Sequence, residues 1–373
     1  MKKIEAIAFF GKDKYYKAYS EDIISIMKKV YSHGRVVMGP EVEEFEEKLA
    51  SYCGRKHAVA VGSCTDALYF SLVGAGIKPG DEVLVTGFSF IASASCILRV
   101  GAVPVFVDIN PENYMMDLAD LERKITEKTR AIVAVPLFGN AMDLDAVEEI
   151  GKKHSLVVIE DAAQSIGGRH GDRKVGSMGQ YSCISFDPTK ILSAQSNGGV
   201  VLTDDPEKFE LVSKMRYHGK NLKTGEFEVL GYNSRLASLQ AALLSYNLDR
   251  LESWIERHSE IARQYIEGLE GLVHIPKLNQ KVRHVFHKFV IQTNDRDKLK
   301  DWLKQNGIQA MVHYGESIPE NKLFGHFTHR ADGLKHIDEL KKKVLSLPIH
   351  PWLKDEEVGY IIREVRNFFS KKG

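Results

Sequence analysis

The sequence has no long apolar stretch and few cysteines. No apolar run among its 373 residues approaches the roughly 18 residues that a membrane-spanning helix requires, and Met1–Glu5 has no apolar core of signal-peptide length. The cysteines Cys53, Cys64, Cys96 and Cys183 form no C-x-x-C pair, which indicates buried thiols rather than a disulfide framework. We therefore expect a soluble protein of the reducing cytoplasm.

The sequence also has no large excess of charge of one sign, and it lacks several common catalytic motifs. Lysine and arginine number 51 against 50 acidic residues, so no basic excess points to nucleic acid. The chain contains no G-x-G-x-x-G and no G-x-x-x-x-G-K-[ST], which argues against a Rossmann dinucleotide site and a P-loop. It also lacks H-E-x-x-H and G-x-S-x-G, so neither a zinc protease nor a serine hydrolase is indicated, and we expect no metal site.

Strands and helices alternate through the first half of the chain. Short apolar segments are followed by helical patterns, beginning with His57–Val61 and Ala67–Ala75. This alternation predicts an α/β fold with three layers, in which a mostly parallel sheet has helices on both faces. The further predicted strands and helices are Glu82–Thr86, Phe88–Val100, Pro104–Val107, Leu118–Ile125, Ala131–Val135, Leu144–His154 and Leu156–Glu160.

Helical patterns flank this region. An irregular arm is expected to lead into a helix at Glu21–Tyr31, and Pro40 after Gly39 predicts another helix start. From Asn233 to about Glu267 the chain has no Gly or Pro, and its apolar residues recur at helical intervals, which predicts a long helix or a bent pair.

The pattern changes in the last third of the chain. Strands are predicted at Val285–Thr293 and Gln309–His313, and helices at Asp295–Asn306 and Asp355–Lys371. We therefore expect a large domain of residues 1–250, including the N-terminal arm, and a smaller C-terminal α+β domain of residues 251–373.

A lysine follows one predicted strand, and a carboxylate ends another. The apolar run from Ser182 stops at Pro188 and leaves Lys190 in a loop, while Asp161 ends the run Leu156–Glu160. Ligands of open α/β sheets bind at the carboxyl ends of strands, so both side chains are expected to face one pocket. A Schiff-base lysine with a carboxylate for a pyridinium nitrogen is what pyridoxal 5'-phosphate (PLP) requires. The alternative is a solvated loop lysine and a helix-capping aspartate.

The turn after the first strand is suited to hold an anion. Gly62 and Ser63 lead from that strand into a helix, and the free N–H groups and positive dipole end of a helix N-terminus favour a phosphate. Ser63 and Asp66 also have the spacing of a capping box, with Asp in place of the usual Glu. Capping alone is therefore the alternative interpretation.

Separated motifs from Gly39 to Trp352 together resemble those of the DegT/DnrJ family of sugar aminotransferases, which are PLP enzymes with the aspartate aminotransferase fold (fold type I). The motifs are Gly39–Glu46, Gly80–Val83, Val105–Ile109, Ile159–Gln164, Ser185–Lys190, Gly231–Arg235 and Leu345–Trp352.

The resemblance implies how the cofactor ring is held. Lys190 is expected to form the Schiff base with PLP, and Asp161 to pair with the pyridinium nitrogen. Phe90 lies where the family stacks an aromatic ring on the cofactor, although a core Phe in an apolar helix is the alternative. Gln164 is expected near the phenolic oxygen of the cofactor.

The resemblance also implies how the cofactor phosphate is held. The backbone N–H groups of Thr65 and Asp66 and the hydroxyl of Ser185 are expected to bind it, in agreement with the anion site inferred above. In family homodimers, Asn233 reaches the phosphate bound by the other subunit. The active sites are therefore expected to be shared between two chains.

The implied reaction moves an amino group from an amino acid, usually glutamate, to a keto-sugar. The family favours a nucleotide-linked 3- or 4-keto-6-deoxyhexose in amino-sugar and surface-polysaccharide biosynthesis, including that of lipopolysaccharide. Open alternatives are a non-nucleotide acidic keto-sugar, such as an oxidised eight-carbon sugar acid, a PLP-dependent sugar dehydratase, and a non-catalytic regulatory relative. The chain departs from the family pattern at Gln195–Gly199, Pro136 and His313–Gly315, where the acceptor is expected to sit and away from the cofactor chemistry.

Overall fold

The structure is a computed structural model that describes residues 6–371. Met1–Glu5, on which the expectation of a missing signal segment rests, lies outside the described residues. The strands are β1 His57–Val61, β2 Glu82–Thr86, β3 Val103–Val107, β4 Thr129–Ala134, β5 Val157–Asp161, β6 Arg169–His170, β7 Arg173–Lys174, β8 Tyr181–Ser185, β9 Gly199–Thr203, β10 Val282–Arg283, β11 Phe289–Gln292 and β12 Val344–Leu347.

Helices precede, separate and follow these strands. They are α1 Lys12–His33, α2 Pro40–Cys53, α3 Cys64–Gly74, α4 Ala92–Arg99, α5 Leu118–Arg123, α6 Leu144–Lys153, α7 Pro206–Met215, α8 Ser238–Leu248, α9 Leu251–Leu269, α10 Arg296–Gln305, α11 Lys335–Leu340 and α12 Asp355–Ser370. None of these helices is long and apolar enough to cross a membrane.

The main sheet has seven strands in the order β1-β9-β8-β5-β4-β2-β3. Neighbours from β8 to β3 are parallel, and β9 runs antiparallel to both of its neighbours. The mostly parallel sheet predicted from the alternating pattern is confirmed. Since β1, β5 and β8 run in the same direction, their carboxyl ends meet at one edge of the sheet.

Both faces of this sheet are covered, as alternate residues of β1 show. Val59 and Val61 pack into one apolar cluster with residues of α3 and α4, whereas Ala58 and Ala60 pack into a second cluster with residues of α2 and α8. Successive strand residues point to opposite faces, so the sheet is the middle of three layers. The predicted three-layer α/β fold is confirmed.

A third apolar cluster lies around the antiparallel pair β11 and β12. It joins residues of α9, α10 and α12, among them Ile261, Leu299 and Ile361. Ile318 and Phe324 lie between β11 and β12 in the sequence, but they pack into the first cluster. The division of the chain at residue 250 stays a prediction.

Three predicted elements differ from the structure near the chain's two ends. The irregular arm is already helical from Lys12, because no Gly or Pro interrupts the chain between Gly11 and Gly34. The predicted strand at Gln309–His313 is reduced to an isolated bridge between Met311 and Ser346, and the preceding Ile308 bridges to Ile7. The strand at Val285–Thr293 is reduced to β11, because Phe286 has a φ of +49° and leaves the extended conformation. Of the two predicted alternatives, a long helix or a bent pair, the structure has the pair, as α8 and α9.

Candidate active site

A cavity of about 510 Å³ lies at the carboxyl edge of the main sheet. One wall, the sheet wall, consists of the residues that follow β1, β2, β5 and β8. A second wall, the cover wall, consists of Phe10, His287, Lys288, His313 and Tyr314. The sheet wall includes Ser63, Cys64, Thr65, Ser89, Phe90, Ser93, Asp161, Gln164, Ser185, Asp187 and Lys190.

Asp161 ends β5 with its carboxylate buried in the sheet wall. Its side chain is 4% exposed. Its Oδ2 accepts a hydrogen bond from Ser93 Oγ at 2.7 Å, and its Oδ1 accepts one from the backbone N of Ala163 at 3.3 Å. Burial raises the pKa of Asp161, although the hydrogen bond from Ser93 and the charge of Lys190 oppose the rise. A cation placed against this carboxylate would hold it ionised.

Lys190 lies in the loop after β8, where Pro188 ends the strand. Its backbone N donates to the carbonyl of Asp187 at 2.9 Å, which closes a tight turn. Its side chain is half-buried and faces the same cavity as Asp161. Burial lowers the pKa of Lys190, while Cys64, Asp161 and Asp187 act to raise it. The neutral form of the amine is therefore more populated near pH 7 than it is for a lysine in water.

The turn between β1 and α3 presents a helix N-terminus to the cavity. Ser63 is the N-cap, and its Oγ accepts a hydrogen bond from the backbone N of Asp66 at 3.1 Å. A side chain at Gly199 would lie only 2.4 Å from the backbone N of Cys64, so this glycine lets β9 approach the helix start. Ser185 lines the cavity nearby. Hydroxyls beside a helix N-terminus suit a phosphate.

Only half of the predicted capping box forms. Ser63 caps the helix, but the carboxylate of Asp66 accepts from Ser234 Oγ at 2.8 Å and pairs with Arg99 at 3.2 Å instead of returning to Ser63. Thr65 lines the cavity, whereas Asp66 is not among the lining residues. Since the Asp66 amide is engaged by Ser63, phosphate binding by that amide stays a prediction.

Two further predicted residues lie in the sheet wall. Phe90 precedes α4 and is 57% exposed. It is therefore not a core residue of an apolar helix, which was the alternative interpretation. Gln164 is buried, its Oε1 accepts from the backbone N of Phe138 at 3.1 Å, and its Nε2 donates to Tyr314 Oη at 3.2 Å. Gln164 thus joins the sheet wall to the cover wall.

Asn233 lies outside the cavity of its own chain. It is exposed, its Oδ1 accepts hydrogen bonds from Arg235, and its backbone forms a bridge with Tyr217. It precedes α8 rather than starting it. Its predicted contact is with a partner subunit, so its role stays a prediction.

The cover wall is fixed to the sheet by backbone contacts after β4. The backbone N of Val285 donates to the carbonyl of Gly139 at 2.7 Å, and that of Lys288 donates to the carbonyl of Phe138 at 3.1 Å. Gly139 has a φ of +98°, and a Cβ there would lie 2.5 Å from the backbone N of His287. Only glycine combines this conformation with so close an approach.

Lys288 brings into the cavity an amine that was not predicted from the sequence. The residue is 6% exposed, and its Nζ lies 4.8 Å and 4.4 Å from the ring centroids of Phe9 and Phe10. Burial, with the charges of Lys190 and Lys12, lowers the pKa of Lys288 to about 7. No motif marks this position, so the fold alone brings it to the site. Ser93, the partner of Asp161, was missed for the same reason.

The residues of the sheet wall fit PLP. The carboxylate of Asp161 faces no cation within hydrogen-bonding distance in the described chain and suits a protonated ring nitrogen. Lys190 shares the cavity and would supply the amine for a Schiff base. Ser63, Thr65 and Ser185 provide hydroxyls and a helix N-terminus for the phosphate. The donor set therefore suits the ring nitrogen, the aldehyde and the phosphate of the cofactor.

Comparison with known proteins agrees with this geometry. The chain matches the model of the DegT/DnrJ/EryC1/StrS aminotransferase family over residues 17–366. It is 38% identical over 358 residues to a pleiotropic regulatory protein of Geobacillus stearothermophilus, covering 95% of this chain and 96% of that protein. It is 36% identical over 358 residues to the dTDP-3-amino-3,4,6-trideoxy-alpha-D-glucose transaminase of Streptomyces venezuelae, covering 95% and 94%.

A solved structure links this fold to its cofactor. The chain superposes on NtdA from Bacillus subtilis with bound cofactor PMP, the pyridoxamine form of PLP, with a TM-score of 0.90 at 29% identity, over 98% of this chain and 85% of that one. The chain belongs to the DegT/DnrJ/EryC1/StrS aminotransferase family. It is an aminotransferase that uses PLP.

Proposed function

We propose that this enzyme moves an amino group from glutamate to a nucleotide-linked keto-sugar, namely a 3- or 4-keto-6-deoxyhexose. The observation that carries the proposal is the placement of Lys190 and Asp161 in one cavity at the carboxyl edge of the sheet. The transaminase from Streptomyces venezuelae, whose name specifies a dTDP-linked amino sugar, supports the nucleotide-linked substrate. Glutamate as the donor rests on the family resemblance.

Bound PLP supplies an electron sink for the bonds at the amino-bearing carbon. Asp161 holds the ring nitrogen protonated and so maintains that sink. The amine of Lys190 would take the proton from the Cα of the amino donor and would deliver it to C4′ of the cofactor. This step needs the neutral amine, and burial, which lowers the pKa of Lys190, favours it. Phe90 and Gln164, which both line the cavity, would help to hold the ring.

The proposal is tested by separating the two half-reactions. Glutamate alone should convert the bound cofactor to its pyridoxamine form and release one equivalent of 2-oxoglutarate per active site. A panel of nucleotide-linked and acidic keto-sugars should then identify the acceptor that restores the original spectrum. If no amino acid converts the cofactor, while a sugar is dehydrated by the pyridoxamine form, the enzyme is a dehydratase and the proposal is wrong.

A regulatory role is the competing proposal, because the relative from Geobacillus stearothermophilus is named as a regulatory protein. A protein that only binds does not need a lysine and a carboxylate positioned for proton transfer. Turnover that disappears in a Lys190→Ala variant would therefore favour the enzyme. Cofactor binding without turnover for any donor would favour the regulator.

We also propose that two copies of the chain share their active sites. Asn233 is exposed, and the segment before it carries exposed apolar side chains at Leu222, Phe227 and Leu230, which are 63%, 70% and 81% exposed. Apolar side chains left in water on one segment are typical of an interface.

Mixing two inactive variants tests the shared site. Lys190→Ala and Asn233→Ala chains, each impaired alone, should form hybrid dimers in which one site regains both residues. The mixture should therefore recover activity, and recovery should depend on subunit exchange. Activity equal to the sum of the separate variants would show that each chain holds a complete site.

The cytoplasmic location expected above remains part of this proposal, and the four unpaired, buried cysteines support it.

A further inference from the structure

Lys288 is buried, and no carboxylate among residues 6–371 forms an ion pair with its amine. Within residues 6–371, the contacts of its Nζ are those with the rings of Phe9 and Phe10. Aromatic faces attract a cation but do not neutralise it. A buried lysine is ordinarily paired, so its placement at the cavity needs an explanation.

The nearest carboxylate in the sheet wall does not satisfy Lys288. Asp187 lines the cavity and its charge acts on Lys288, but its Oδ1 accepts from the backbone N and Oγ1 of Thr189, at 2.9 Å and 2.5 Å. Lys12, whose pKa burial lowers to about 8, adds a second cation on the same side and donates to Ser193 Oγ at 2.6 Å. The charge near the cover wall is therefore predominantly positive.

The two histidines of the cover wall do not add to this charge. Burial, together with the charges of Lys288 and Lys190, lowers the pKa of His287 and lowers that of His313 to about 3. Both rings are therefore neutral near pH 7. Lys288 is left as the cation that the cover wall itself presents to a bound molecule.

We propose that Lys288 binds a carboxylate of the substrate within this cavity. This inference rests on the proposed function, because it assigns the residue to one of the two reactants of an amino-group transfer. A carboxylate is present on the amino-acid donor, and it is also present on a sugar-acid acceptor. In either case an ionised oxygen would give Lys288 the charge-assisted hydrogen bond that it lacks.

The anion proposed at Lys288 is distinct from the cofactor phosphate, because the two would bind to different residues of the cavity. The phosphate position inferred above lies at Ser63, Thr65 and Ser185, on the sheet wall, whereas Lys288 belongs to the cover-wall segment that is hydrogen-bonded to Phe138 and Gly139. The two positions therefore belong to different walls of one cavity. A reactant between them would be held by the cofactor on one side and by Lys288 on the other.

Calorimetric binding to the PLP-loaded enzyme tests the proposal with molecules that cannot react. Glutarate, a five-carbon dicarboxylate without an amino group, represents the donor. UDP-glucuronate and UDP-glucose differ by one carboxylate and represent an acidic and a neutral sugar. The variants are Lys288→Met, which keeps the length of the side chain, and Lys288→Gln, which keeps a polar end. Lys277→Met is the control, since that side chain is 73% exposed and pairs with Glu112.

If the donor is bound, glutarate affinity should fall about tenfold or more in both Lys288 variants and stay unchanged in the control, as expected for loss of a charge-assisted hydrogen bond. If a sugar acid is bound, the preference for UDP-glucuronate over UDP-glucose should be lost instead. Either result supports the proposal and identifies the source of the carboxylate.

Affinities within twofold of wild type for both probes would overturn the proposal, as would a wild-type enzyme that binds neither. The glutamate half-reaction is measured separately. An enzyme that releases 2-oxoglutarate but binds both probes independently of Lys288 refutes this inference alone. Lys288-dependent binding without the glutamate half-reaction refutes glutamate as the proposed donor and leaves the carboxylate site standing.

Discussion

The two walls of the cavity are built on different principles. In the sheet wall, strand ends fix each functional group, and hydrogen bonds such as that from Ser93 to Asp161 hold it in place. In the cover wall, Lys288 and the neutral His287 are buried with few partners of their own. The sheet wall is suited to a cofactor that stays, whereas the cover wall leaves its charge available for reactants that come and go.

The largest effect is expected from Lys190→Ala. Losing both the Schiff-base amine and the proton carrier should lower the glutamate half-reaction by about 10⁴-fold, the upper end for general acid–base catalysis. Release of 2-oxoglutarate in single-turnover experiments measures it, with the exposed Lys281→Ala as control. Borohydride reduction of the wild type should label Lys190, and a label on another lysine would contradict the assignment.

A smaller loss is expected from Asp161→Asn. The amide can still accept the hydrogen bond from Ser93 but carries no negative charge for the ring nitrogen. Both half-reactions should slow by about 10- to 100-fold, as for removal of a charged hydrogen-bond partner. Ser93→Ala, which leaves the charge in place, should cost about tenfold or less. Equal effects of the two variants, measured by stopped-flow absorbance, would show that the charge of Asp161 is unimportant.

Tyr314→Phe tests the hydrogen bond that joins the walls. Gln164 would lose its acceptor on the cover wall but keep the bond from Phe138. Loss of one neutral hydrogen bond should change kcat/KM by about tenfold or less, and the enzyme should retain its cofactor. Tyr360→Phe, which removes a hydrogen bond to Asn306 away from the cavity, is the control. Loss of the cofactor in Tyr314→Phe would show that the cover wall also holds PLP.

The smallest effect is expected on stability, from Lys288→Met. The pKa of Lys288 is about 7 in the folded protein and about 10.4 when unfolded. The charged amine is therefore unfavourable in the fold below pH 7, and the penalty disappears as the pH rises toward 10. The variant should melt about 1–4 °C above wild type at pH 6.5 and close to it at pH 10, by scanning calorimetry. A variant that melts below wild type at pH 6.5 would contradict the unpaired amine.

Much of the sheet wall could be predicted from sequence, because it depends on local patterns. A strand that stops at Pro188 places Lys190, and an apolar run that ends in Asp161 places the carboxylate at the same edge. The cover wall could not be predicted in this way. Its segment resembles a strand from Val285 onward, yet the positive φ of Phe286 and bonds to a loop after β4 turn it over the cavity. Contacts between distant parts of the chain have no local signature.

The junction at Gly139 also determines how the molecule can be observed in motion. The amide protons of Val285 and Lys288 are held by carbonyls of Gly139 and Phe138, so they can exchange with deuterium only when the walls separate. Equal exchange rates at the two amides would report that the segment lifts as a unit. Slower exchange in the presence of a reactant would measure, without any turnover, how strongly that reactant holds the cavity shut.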